Sequence, residues 1–142
     1  MAPSAEVQLR YLADIQSIIA RLSQNSFIIR GWSVTLVSII FAIVSTQRAD
    51  NRGYALLALP PALIFWALDA YYLRRERSFR RLYVTVGKEM LAGRLDERMF
   101  EMDTGDFDDA VPGFGRTVLA GHVMVIPAML IVLAIGLAVL AI

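Results

Sequence analysis

Near the start of the chain Leu12, Ile15, Ile19 and Leu22 recur at steps of three, four and three, with Tyr11 and Ile18 alongside and Asp14, Gln16 and Arg21 on other faces. That spacing predicts an amphipathic helix over residues 7–24. The pattern then changes. From Gly31 to Gln47 there is no charge, and with Phe27, Ile28 and Ile29 the apolar run reaches about 20 residues, enough to cross a hydrocarbon layer of roughly 30 Å. A second run, 54–73, is apolar except for Asp69 and carries Pro60-Pro61, which predict a kink within it. A third, 117–142, has His122 as its single ionisable side chain. Between the last two, Phe79, Leu82, Tyr83, Val86 and Met90 share a helical face, so the second helix is expected to continue to about Met90, with Gly87 and Gly93 weakening its far end.

Composition agrees with this pattern. A chain of 142 residues that is 57% hydrophobic and 19% charged is more apolar than an ordinary soluble domain. Its mean hydropathy is +0.55. The expected architecture is all-α and integral to a membrane: a cytoplasmic amphipathic helix at 1–26, transmembrane helices at 27–47, 54–73 and 117–142, and a cytoplasmic segment at 74–116. Residues 1–30 and 74–116 hold twelve of the 14 basic residues, and only Arg48 and Arg52 occupy the turn between the first two spans. Cytoplasmic flanks retain basic residues, so the N-terminus is expected inside and the C-terminus outside. Met1 to Leu12 has no basic-then-apolar signal pattern.

The chemistry on offer is narrow. With no cysteine and one histidine, thiolate chemistry and histidine metal clusters are excluded, and no convergent acid, base or nucleophile stands out. Neither enzymatic activity nor a cofactor is expected. The acidic stretch Asp96-Glu97, Glu101, Asp103, Asp106, Asp108 and Asp109 lacks the alternation and closing glutamate of a calcium loop and reads as a solvated linker.

Three sets of residues stand out. Arg30 lies 18 residues before Arg48 and Asp69 lies 17 after Arg52, so an antiparallel hairpin brings them to similar depth, as a structural lock or as a gate. Gly31, Thr35, Ser38, Ala42 and Ser45 fall on one face of the first span, a stripe that permits close helix packing or lines a pore. Arg74, Arg75, Arg77, Arg80 and Arg81 follow the second span, where they anchor at anionic lipid or receive an anionic ligand. No nucleic-acid partner is expected.

The stretches Gln24-Asn25-Ser26-Phe27-Ile28-Ile29-Arg30-Gly31-Trp32-Ser33-Val34-Thr35-Leu36-Val37 and Phe65-Trp66-Ala67-Leu68-Asp69-Ala70-Tyr71-Tyr72-Leu73-Arg74-Arg75-Glu76-Arg77 resemble small helical membrane effectors of bacteria, the SLATT-like proteins linked to nucleotide-signalling antiphage systems such as CBASS. The resemblance spans roughly residues 10–85. It implies an inner-membrane protein that oligomerises and permeabilises the membrane on a signal, which a nucleotide or a partner protein would supply. The usual arrangement has two spans followed by a cytosolic helix, whereas a third apolar run closes this chain. The competing expectation is a non-conducting scaffold that recruits a cytoplasmic partner through residues 74–116.

Overall fold

The computed structural model describes residues 4–46, 57–94, 100–107 and 110–140, the side chains of 44–46, 122 and 137–140 excepted. Among them the chain is helical, with α1 at Ala5–Thr46, α2 at Leu59–Leu91, α3 at Phe114–Val118 and α4 at Gly121–Leu140. The turn holding Arg48 and Arg52, and Asp96-Glu97 with Arg98, lie outside the described residues.

α1 is a single helix of 42 residues, where the sequence reading separated an amphipathic helix from a span. Gln24-Asn25-Ser26 contains neither glycine nor proline, so nothing in the junction stops the backbone hydrogen bonds. Ser4 opens the helix by accepting the Val7 N–H on its Oγ at 3.4 Å, and Glu6 lies favourably in the first turn. Tyr11, Ile15, Ile18, Leu22, Ser26, Ile29, Ser33, Val37 and Ile40 are buried or half-buried along its length. Their spacing repeats every eleven residues, about 3.67 per turn, so the buried seam barely winds around a 3.6-residue helix.

α2 carries Pro60-Pro61 in its first turn, directly after a 3-10 turn at 57–58. The prolines therefore start the helix instead of kinking it, because first-turn N–H groups have no helical partner to lose. The helix continues through Gly87 and ends at Gly93, which adopts φ 66°. There the Gly93 N–H reaches the Met90 carbonyl at 3.1 Å and the Arg94 N–H reaches that of Glu89 at 2.9 Å, the paired bonds of a Schellman stop. The third apolar run is also not one helix: α3 and α4 are separated at 119–120, and Pro127 lies inside α4.

The chain divides into two compact units, one of residues 1–25 with 72–113 and the other of 26–71 with 114–142. In the first, Tyr11 and Ile15 of α1 form a core with Phe79, Leu82 and Val86 of α2, and Phe107 packs against it. In the second, Val37, Ala58, Ala62, Leu130 and Ala134 form the buried cluster. Alanine dominates this second core, which brings the helix backbones close together. Its outer surface is the reverse of a soluble domain's, since Phe27, Trp32, Ile39, Ile64, Val125 and Val132 are each more than half exposed. Among the described residues one helix, over Ala5–Ile43, is long and apolar enough to cross a membrane, and Val123–Gly136 is a shorter apolar helix.

Candidate functional site

Asp69, only 4% exposed, is the centre of the most polar site in the second unit. Arg30 donates its Nε–H to Asp69 Oδ2 at 2.8 Å, and Ser26 donates its hydroxyl to Oδ1. Ser26 and Arg30 stand four residues apart, one helical turn, so α1 presents both donors from one face. The buried carboxylate thus takes one charge-assisted hydrogen bond on each oxygen, which compensates its loss of water.

Trp66 lies one turn before Asp69 on α2. Its indole N–H donates to the Val118 carbonyl at 3.0 Å, giving a partner to a carbonyl that the last turn of α3 leaves without one. Beside the ion pair a cavity of about 10 Å³ is lined by Arg30, Ser33, Trp66, Asp69 and Pro127. That space holds about one water.

The small-residue stripe does not meet this interior. Gly31, Thr35, Ser38 and Ala42 are exposed, while Ser33 and Val37 are the buried positions of that stretch. At about 100° per residue the stripe lies roughly 170° around α1 from the seam. Packing among α1, α2 and α4 therefore does not use it. Ser45 and His122 belong to the side chains outside the described set.

The arginine cluster divides into two groups within the first unit. Arg75, although exposed, donates from Nη1 to Thr104 Oγ1 at 3.2 Å and sits 5.8 Å from the centroid of the Phe79 ring, contacts that tie the segment after α2 to the helix. Arg74 is half-buried. Arg80 pairs through Nη2 with Glu76 at 2.6 Å, and Arg77, Arg80 and Arg81 together line a groove of about 270 Å³ against residues 110–112.

A second cavity, of about 230 Å³, is lined by Tyr11, Thr85, Glu89, Glu101, Asp103 and Asp106 among others. Tyr11 is fully buried there and donates its hydroxyl to the Glu101 carbonyl at 2.6 Å, with the Phe100 ring tilted against it at 5.5 Å. Burial, then the nearby Glu101 and Glu89 carboxylates, raises its hydroxyl pKa above 10.0. Phe100 holds φ 69°, a left-handed conformation costly for a bulky side chain. Among the described residues no cluster of three or more ligating side chains could hold a metal ion.

The structure therefore brings Arg30 and Asp69 together, separates Arg77, Arg80 and Arg81 from Arg74 and Arg75, and turns the stripe outward. Three participants were missed from sequence: Ser26, the Trp66 indole and the Tyr11 hydroxyl. Ser26 alone left a usable signal, its position one turn before Arg30. Compared with family models, curated proteins and solved structures, the chain matches none.

Proposed function

We propose that this chain is a three-span protein of a bacterial inner membrane, N-terminus inside and C-terminus outside, that assembles as a homo-oligomer and permeabilises the membrane on a signal. The observation that carries the reading is the inverted distribution within residues 26–71 and 114–142. An Arg30–Asp69–Ser26 cluster and alanines lie inward, while large apolar side chains lie outward. In the most apolar window of α1 only 17% is buried in the protein, whereas a core helix of a soluble protein is mostly buried. Such a surface is stable against lipid and unfavourable against water.

Leak would arise from several copies assembled together or from movement of the helices. The outward stripe Gly31, Thr35, Ser38 and Ala42 offers close approach to a second copy, since small residues let helix backbones pack without any hydrophobic drive. A shift in the Arg30–Asp69 lock and in the cytoplasmic helices is the event that rearranges the spans. The role in antiphage defence rests on the resemblance of residues 10–85 to SLATT-like effectors.

The test is dye and ion flux from liposomes carrying the purified protein, with Asp69→Ala beside it and the oligomer mass measured in the same detergent. Leak from a defined oligomer that changes in the variant supports the reading. A folded oligomer whose bilayer stays tight, with and without the substitution, means either a missing trigger or a scaffold, and the search moves to partners of residues 74–116.

A second reading, a non-conducting scaffold that recruits a cytoplasmic partner through residues 74–116, is favoured by the acidic cavity of Glu89, Glu101, Asp103 and Asp106. Such a cavity suits a basic peptide segment. Stoichiometric co-purification of a partner without leak would select it.

A further inference from the structure

We propose that Arg77, Arg80 and Arg81 form a binding site for a phosphate-bearing anion, held in the groove between α2 and residues 110–112. The three arginines and Val84 stand at steps of three, one and three, a single face of one helix, and line the groove together. The opposite wall is apolar, formed by Ala110, Val111 and Pro112, with Val111 only 4% exposed. The groove, about 270 Å³ against the roughly 10–15 Å³ that one water occupies on the same measure, is open to one side and has room for a phosphate group.

The chemistry of the donors favours phosphate over a simple carboxylate. Guanidinium forks present paired N–H groups, and three of them within one helical turn match an anion with three or more acceptor oxygens. Glu76, nearly buried, holds Arg80 at 2.6 Å and orients it at the groove while leaving its remaining donors on a side chain that is 64% exposed. Arg75 and Arg74 are not members, because neither lines the groove. Asp108 and Asp109 precede this wall in the sequence and lie outside the described residues.

The anion has two sources. On the continuous helix α2, Arg77 follows Asp69 by eight residues, about 12 Å along the axis, within reach of a lipid headgroup for a long side chain at the end of a span. A soluble phosphate compound offers the same group. The lipid source rests on the membrane reading and the soluble source does not, and neither depends on leak.

The experiment is calorimetric titration of the full chain in neutral detergent with short-chain phosphatidylglycerol, with short-chain phosphatidylcholine and with inorganic pyrophosphate. Arg77→Gln/Arg81→Gln is compared with Arg10→Gln/Arg21→Gln, which removes the same charge away from the groove. Binding of an anionic probe is expected to weaken about tenfold in the first variant and to change less than about twofold in the second. Binding of phosphatidylglycerol alone assigns the lipid headgroup, and binding of pyrophosphate as well assigns a soluble phosphate. Absence of binding by the wild-type chain, equal binding of phosphatidylcholine, or equal loss in both variants overturns the proposal. Should the glutamine pair not fold, Arg77→Lys/Arg81→Lys keeps the charge but loses the forks. It is expected to weaken binding about threefold, and unchanged binding would overturn the site.

Discussion

Removing Arg30 should destabilise the protein more than removing Asp69, although both substitutions break the same 2.8 Å contact. The asymmetry follows from exposure: the Asp69 side chain is 6% exposed and that of Arg30 33%. Arg30→Ala leaves a buried carboxylate with Ser26 as its remaining donor, and stranding a buried charge costs about 3–5 kcal/mol. Asp69→Ala strands a guanidinium that keeps part of its solvation, which lowers the cost to about 2 kcal/mol. The double variant strands neither charge and should cost about 3 kcal/mol, giving a coupling of roughly 2–4 kcal/mol. The assay is reversible unfolding in mixed micelles, followed by helical circular dichroism, for all four corners of the cycle. A coupling below about 0.5 kcal/mol, or Asp69→Ala being the costlier change, would refute the buried-carboxylate argument.

The other predictions concern the remaining contacts. Burial raises the Tyr11 hydroxyl pKa above 10.0, so both folded and unfolded chains hold the proton below that value and the unfolded chain releases it first above. Stability should therefore fall as pH rises from 10.0 through the folded value, and Tyr11→Phe, starting about 1 kcal/mol lower, should lose that dependence in alkaline denaturation. Trp66→Phe keeps the ring but loses the indole donor to Val118 and should cost about 1 kcal/mol in the same unfolding assay. A Cβ at Gly31 meets nothing within 4 Å, so Gly31→Leu should leave the helical content unchanged and reduce the oligomer mass. Gly93→Ala places a Cβ at φ 66° and should cost about 1 kcal/mol, measured as a lowered denaturation midpoint.

Distance from a turn was the part of the site most readable from sequence. Arg30 and Asp69 stand almost equally far from Arg48 and Arg52, so folding the hairpin in thought already brings them level. The buried face of α1 was not readable in the same way. Where a helix is apolar all round, hydrophobic periodicity carries no signal about which side packs. The regular spacing of Gly31, Thr35, Ser38 and Ala42 drew attention to a face that the chain leaves exposed. Around Tyr11 and Ile15, where charged residues cover the other faces, the spacing did identify the core positions. Helix boundaries failed for local reasons. Pro60-Pro61 carries the same letters whether it starts a helix or interrupts one, and the difference lies in where the preceding turn ends. Contacts to backbone carbonyls, such as Tyr11 to Glu101 and Trp66 to Val118, leave no trace in the sequence because any residue supplies the acceptor.

The inverted distribution around Asp69 has a practical consequence for protein engineering. Specificity of assembly within the chain and compatibility with the surrounding medium are written on separate sets of residues. Ser26, Arg30, Asp69, Ala58 and Ala62 carry the first, and Phe27, Trp32, Ile39, Ile64, Val125 and Val132 carry the second. Recoding the exposed apolar side chains of residues 26–71 and 114–142, of which these six are a part, with lysine, glutamate and glutamine is expected to give a variant that folds in buffer around an unaltered interior. The same helices would then become accessible to solution spectroscopy without detergent.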